Sequence, residues 1–130
     1  MIVPRYSREI PQRMRLEAGK CENCGYLAFP PRLICPECGH KDFSDVALKP
    51  EGKILTYTII HVSADTFSTQ TPFPVAVIET VEGARLTAQV ADCRPDEMAI
   101  GKKVRLMTRL IQRESRGGIL MYGYKAVLIR

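Results

Sequence analysis

Four of the chain's five cysteines lie between positions 21 and 39, in the stretch CENCGYLAFPPRLICPECG. Each half reads Cys-x-x-Cys-Gly. Two residues between paired cysteines let the backbone turn tightly around one ion. A glycine after the second cysteine takes positive φ without a Cβ clash and so turns backbone N–H groups toward the sulfurs. Two such knuckles supply the tetrahedral four-sulfur set of a closed structural zinc site, with Cys21, Cys24, Cys35 and Cys38 as the expected ligands. Iron in the same four-thiolate geometry is the other reading. A redox role of the thioredoxin type needs a lone Cys-x-x-Cys beside a βαβ pattern, which is absent. Disulfides are disfavoured in a reducing compartment. A site with four protein ligands has no open position, so it folds its module and catalyses nothing. Loss of one thiolate is expected to unfold this module and spare much of the β-structure that follows.

Little else in the chain could do chemistry. His40 follows the second knuckle directly and, with four thiolates present, is expected to face solvent. His61 falls in TIIHVS and is expected to pack at a strand end. Cys93, in ADCRPD, has no base beside it in sequence and is expected to be a half-buried structural thiol. No paired carboxylates, Ser/His/Asp set or open metal site is visible, so the chain is not expected to be an enzyme on its own.

The elements that must position the knuckles read as mainly β. Tyr6 and Ile10 share one face of a short helix over 5–10, expected to stop at Pro11 because proline disrupts a helix interior. So short a helix needs a docking surface on its own chain or on a partner. Residues 13–18 alternate, with Met14, Leu16 and Ala18 against Arg13, Arg15 and Glu17, as in a strand. Strands are expected over 53–63, 73–81, 84–92, 102–114 and 119–129, with one helical turn over 94–101 opened by Pro95 and closed by Gly101. Val104, Leu106 and Leu110 are the expected inward residues of the fourth. Five strands with a helical turn between the third and fourth match an OB-fold barrel. The expected organisation is therefore an N-terminal arm (1–12), a rubredoxin-like zinc ribbon (13–47) and a five-stranded OB-fold barrel (48–130).

Composition agrees with a globular chain: 45% of residues are apolar and 25% charged. Apolar runs such as PVAVI at 74–78 are far shorter than the roughly 20 residues needed to cross a bilayer. No apolar stretch follows a basic start, so a secretory signal is not expected and the cytoplasm is the expected location. Charge is uneven. Residues 101–130 hold eight Lys/Arg and one Glu, while residues 1–100 carry a small negative excess. A basic end points to an anionic partner or to a solvated face. In OB-folds ligands lie on the face of strands 2 and 3, bounded by the loops after strands 1 and 4. Here the first of those loops carries Phe67 and Phe73, and the second carries Arg113 and Arg116. Rings on one side and cations on the other suit a ligand with a flat part and phosphates; capping of the barrel end by the rings is the plainer reading.

Taken as a whole the chain resembles a family that joins a rubredoxin-like zinc ribbon to an OB-fold and accompanies thiolase-superfamily enzymes. The stretches that carry the resemblance are PRYSREIPQRMRLEAGKCENCG, FPPRLICPECG, EGKILTYTIIHV and IGKKVRL. The resemblance implies a non-catalytic acyl-CoA-binding subunit. Archaeal members look like bridges between acetoacetyl-CoA thiolase and hydroxymethylglutaryl-CoA synthase, passing acetoacetyl-CoA toward the mevalonate pathway. Others pair with lipid-transfer-type thiolases or aldolases. The metal ligands carry over at Cys21, Cys24, Cys35 and Cys38. For CoA, the expected phosphate contacts are Arg109, Arg113, Arg116 and Lys125, and the expected ring contacts Phe67 or Phe73. Tyr6 and Ile10 are the expected partner-facing residues.

The competing reading is a zinc-ribbon OB-fold that binds single-stranded nucleic acid. Such proteins stack bases on aromatic side chains of the barrel face. The outward positions of strand 3 are Arg85, Thr87 and Gln89, and strand 2 offers no ring in its body. Any affinity for single-stranded oligonucleotides is therefore expected to be electrostatic. In a salt titration it should vanish by about 0.2 M, because phosphate-only contacts weaken steeply with salt. Tight binding that persists there, or a clear sequence preference, would count against this expectation.

Overall fold

The computed structural model describes residues 4–130. Helix α1 spans Arg5–Arg15 and runs through Pro11. The expected stop at Pro11 is thus a correction. Proline removes one N–H, but Pro11 is exposed, so the carbonyl it leaves free can be solvated. Docking overrides the local preference: α1 lies against the last strand of the chain. The Arg13 guanidinium also sits 5.3 Å from the Tyr6 ring centroid, tying the two halves of the helix together. Leu16, in the left-handed conformation, ends the helix with its N–H turned back to Arg13 and Gln12 carbonyls. Met14 is consequently helical and exposed, not an inward strand residue.

The ribbon follows: β1 (Glu17–Cys21), β2 (Leu27–Ala28) and β3 (Phe43–Ala47), antiparallel in the order β2-β1-β3. The barrel comprises β4 (Glu51–Ile60), β5 (Phe73–Thr80), β6 (Arg85–Ala91), β7 (Lys103–Arg113) and β8 (Leu120–Leu128), closed in the order β4-β5-β6-β8-β7. Six residues of the long loop after β4 form a 3-10 turn, Asp65–Gln70, and the expected helical turn shrinks to Pro95–Glu97. Leu86, Ala88 and Val90 of β6 are buried in alternation, as expected. Val104 and Leu106 of β7 are buried too, but Leu110 is 37% exposed. Leu110 keeps the period of two, but β7 pairs with β4 only as far as Arg105, and beyond that β7 and β8 continue as a two-stranded hairpin outside the closed barrel.

One core serves both modules. Ile54, Ile78, Val90 and Val104 are its fully buried large side chains, and Leu16 and Ala18 of the ribbon, with Leu48 just after β3, belong to the same cluster. Leu48 donates its N–H to the Leu16 carbonyl, and the Phe29 ring packs 5.6 Å from Tyr124 of β8. With this shared core, loss of the ribbon is expected to destabilise the barrel as well, rather than to spare much of its β-structure. Gly52 sits where β4 pairs with β5 and β7 at once. A Cβ there would lie 2.5 Å from the Glu79 carbonyl oxygen. Gly52→Ala should therefore destabilise the fold by about 1–3 kcal/mol, the usual range for overpacking, measured by denaturant unfolding; wild-type stability in that variant would refute the close approach.

Candidate metal centre and ligand cleft

The two knuckles repeat one hydrogen-bond pattern. Cys21 donates its N–H to the Tyr26 carbonyl at 2.8 Å, and Gly25 donates back to Cys21 at 3.0 Å. Cys35 and His40, Gly39 and Cys35, make the same pair of bonds at 2.9 Å each. Gly25 and Gly39 have φ of 78° and 74°, the left-handed turn that glycine permits. The four Sγ atoms lie within 4.8 Å of one another, and Cys21–Cys38 and Cys24–Cys35 are each 3.5 Å apart. A zinc with Zn–S bonds of about 2.3 Å needs sulfurs about 3.8 Å apart, so the set fits a tetrahedral ion closely.

Four thiols this close cannot all ionise without a cation. The Asn23 side chain and the His40 N–H pull the Cys38 thiol down to about 6. At Cys24 the Tyr26 N–H pulls downward, but burial and the neighbouring sulfurs push the thiol up to about 12. A divalent ion removes that conflict by neutralising the thiolates together. Cys21 and Cys35 are buried, and Cys24 and Cys38 close the outer side. His40 stands outside the set, 3.3 Å from Asp42, and is exposed as expected. Cys93 is half-buried with its Sγ 4.0 Å from Met98 Sδ, and burial pushes its thiol up, so it has the character of a packed thiol. His61 is exposed just beyond β4 and is not packed on the barrel, because the strand ends at Ile60.

A second site lies between β6 and β8. There the chain leaves a cleft of about 440 Å³ lined by Tyr6, Phe67, Phe73, Tyr122 and Tyr124, with Arg13 at its edge. Phe67 and Phe73 pack at 6.2 Å, tilted by 47°. The Tyr124 hydroxyl donates to the Thr87 carbonyl at 3.5 Å, and burial pushes its phenol up. Next to it is a polar cavity of about 420 Å³, reached across Phe73 and Gln89, which line both. Arg109 and Lys125 line this cavity with Asp92 and Gln70.

The structure therefore divides the expected site residues. Tyr6, Phe67 and Phe73 meet in the cleft, and Arg109 and Lys125 meet beside it. Arg113 ends β7 and Arg116 lies in the turn beyond; both are exposed and line neither cavity. Ile10 is half-buried on α1 and does not line the cleft. Tyr122, Tyr124 and Arg13 were not anticipated. The body of strands 2 and 3 offers no ring; those of the cleft come from α1, from the turn Asp65–Gln70, from the first residue of β5 and from β8. The alternating tyrosines of MYGYK at 121–125 were the available signal.

Purified protein should contain about one tightly held zinc per chain by elemental analysis. Chelation, or Cys21→Ser, should release it and lower the melting temperature of ribbon and barrel together, because they share a core. A metal-free chain that keeps its fold would overturn the assignment.

Comparison with known proteins follows the same division. Residues 8–44 match the ChsH2 rubredoxin-like zinc ribbon domain, and residues 45–109 match the ChsH2 C-terminal OB-fold domain. A DUF35 domain-containing scaffold protein of Methanocaldococcus jannaschii is 41% identical, over 95% of this chain and 89% of its own length. A benzoylsuccinyl-CoA thiolase subunit, BbsA, of Thauera aromatica is 29% identical, over 85% of this chain and 74% of its own. Among solved structures, an Ltp2-ChsH2(DUF35) aldolase chain superimposes with a TM-score of 0.71 at 28% identity, covering 95% of this chain and 89% of that one. A DUF35-family protein of Sulfolobus solfataricus superimposes with a TM-score of 0.56 at 20% identity, which bears on the fold alone. With the paired knuckles, the barrel and a relative 41% identical along nearly its whole length, the chain belongs to the DUF35 family of zinc-ribbon and OB-fold proteins, the family of ChsH2 and of the archaeal DUF35 scaffold proteins.

Proposed function

We propose that this chain is the non-catalytic bridging subunit of a thiolase-superfamily complex and holds the CoA portion of an acyl-CoA while its partners work on the acyl end. The observation that carries this reading is the 41% identity, along 95% of the chain, to a protein named as a scaffold. A relative named as a thiolase subunit and a structural neighbour named as an aldolase with ChsH2 support it. In the finer form of the proposal the partners are acetoacetyl-CoA thiolase and hydroxymethylglutaryl-CoA synthase, and the product is channelled toward the mevalonate pathway. Condensing two acetyl-CoA molecules is uphill, so a bridge that keeps acetoacetyl-CoA bound until the next enzyme consumes it pulls the first step forward.

The zinc in this reading is structural: held by Cys21, Cys24, Cys35 and Cys38, it fixes the ribbon's turns and takes no part in a reaction. Tyr6 and Ile10 present the helical arm to the partner. In this reading Arg109 and Lys125, which line the polar cavity, meet the CoA phosphates, whereas Arg113 and Arg116 near the hairpin tip line neither cavity. The aromatic cleft suits the flat ring of the nucleotide. A second reading, a single-stranded nucleic acid binder, gains from the same cleft, because its rings lie beside the arginine-bearing helix.

Co-purification from the native host separates the two. The chain should elute with a thiolase-type enzyme as one larger particle, turn over neither acetyl-CoA nor acetoacetyl-CoA alone, and raise the yield of coupled synthesis from acetyl-CoA. Emergence without such an enzyme, or coupled synthesis that runs equally well without the chain, would end the bridging reading.

A further inference from the structure

Lys125 is the one charged side chain among the described residues that is buried, at 8% exposure. An ammonium carries three donors. Among the described residues its only hydrogen bond is to Gln70 Oε1 at 3.4 Å, long for such a contact. That oxygen already accepts from Gln89 Nε2 at 2.9 Å. The nearby carboxylate, Asp92, is engaged by the Arg109 guanidinium at 2.5 Å. Burying an ammonium without a pair is costly, and the fold does so at the wall of a polar cavity. Burial, and then Arg109 nearby, lower the Lys125 pKa against a smaller upward pull from Asp92.

We propose that Lys125 and Arg109, with Gln70 and Gln89, form an anion site for a phosphate or diphosphate group, and that the rest of the ligand crosses Phe73 into the aromatic cleft. Side chains with donors line the cavity from β8, β7, β6 and the turn Asp65–Gln70, and its one carboxylate, Asp92, is paired with Arg109. Arginine adds a planar donor set suited to phosphate. Phe73 and Gln89 line both cavities, so one molecule with a charged head and a flat body can occupy them together. The inference rests on the reading that this chain holds a phosphorylated ligand, and it selects Lys125 and Arg109 over Arg113 and Arg116. The phosphate could belong to a nucleotide-type carrier or be free inorganic anion.

Calorimetric titration of the zinc-loaded full chain at low salt tests this, with inorganic diphosphate and adenosine 3′,5′-bisphosphate as ligands. Both should bind once per chain and compete. Tighter binding of the bisphosphate assigns the site to a nucleotide-type carrier, and equal affinity assigns it to the free anion. Lys125→Met should weaken both by about tenfold to a hundredfold, the effect of losing a charged hydrogen bond. Its melting temperature should hold or rise, because an apolar side chain replaces an unpaired buried charge. Arg109→Gln, at a half-exposed side chain, should weaken binding several-fold and guards against a folding defect in the first variant. Arg113→Gln with Arg116→Gln should leave diphosphate affinity within about twofold.

Wild-type affinity in Lys125→Met, or no binding of either anion to the wild-type chain, overturns the site. If Lys125→Met instead abolishes co-elution with the partner enzyme while neither anion binds, the ammonium meets a partner carboxylate and the phosphate site is wrong. The bridging role fails separately, by a chain that binds diphosphate through Lys125 yet assembles with no thiolase-type enzyme.

Discussion

The barrel closes on two residue pairs. β6 and β8 meet in parallel only at Val90–Ala126 and Ala91–Val127, whereas the other barrel pairs run antiparallel over three to nine positions. Away from that short seam the two strands separate, and their facing edges need cover of another kind. Helix α1, the turn after β4 and the tyrosines of β8 supply it. The aromatic cleft is the space this cover leaves, and the polar cavity lies where the seam begins. A longer seam would have given a tighter barrel with no cleft.

The metal centre is linked to that cover through β1. The strand ends at Cys21, inside the first knuckle, and is preceded by Leu16, the residue that stops α1. Leu16 and Ala18 are buried in the barrel's own core. Four sulfurs around one ion fix the knuckle turns, the turns hold β1 in register with β2 and β3, and β1 sets where α1 leaves the core to lie on β8. A closed four-cysteine site thereby helps to shape the aromatic cleft.

What could be read from the chain and what could not divides along physical lines. The knuckles were legible because ligand spacing is a local property. The five strands were legible because Leu86, Ala88 and Val90, or Val104 and Leu106, alternate with polar residues. Leu110 keeps the alternation of Val104 and Leu106, but alternation does not show where β7 parts from β4 at Arg105 and the hairpin leaves the barrel. Pro11 was read as a stop because its local effect is real; what overrides it is a surface more than a hundred positions away. The cleft's rings come from three separate segments, so no single window contains the site. Lys125 is legible as a cation, but its burial depends on Gln70, Arg109 and the seam, which only the folded chain brings together.

The pairing of α1 with β8 sets an order of events at the ribosome. The helix emerges before the ribbon, and the strand it rests on emerges more than a hundred residues later. By the time Cys38 has left the exit tunnel the metal ligands are all present, so the ribbon can capture its ion while the barrel is unfinished. The arm must then wait, exposing Tyr6 and Ile10, until some eighty further residues have been made. Contacts between distant parts of a chain form slowly. The cleft is therefore completed late, and a chain that stalls before β8 has its four knuckle cysteines but no cleft.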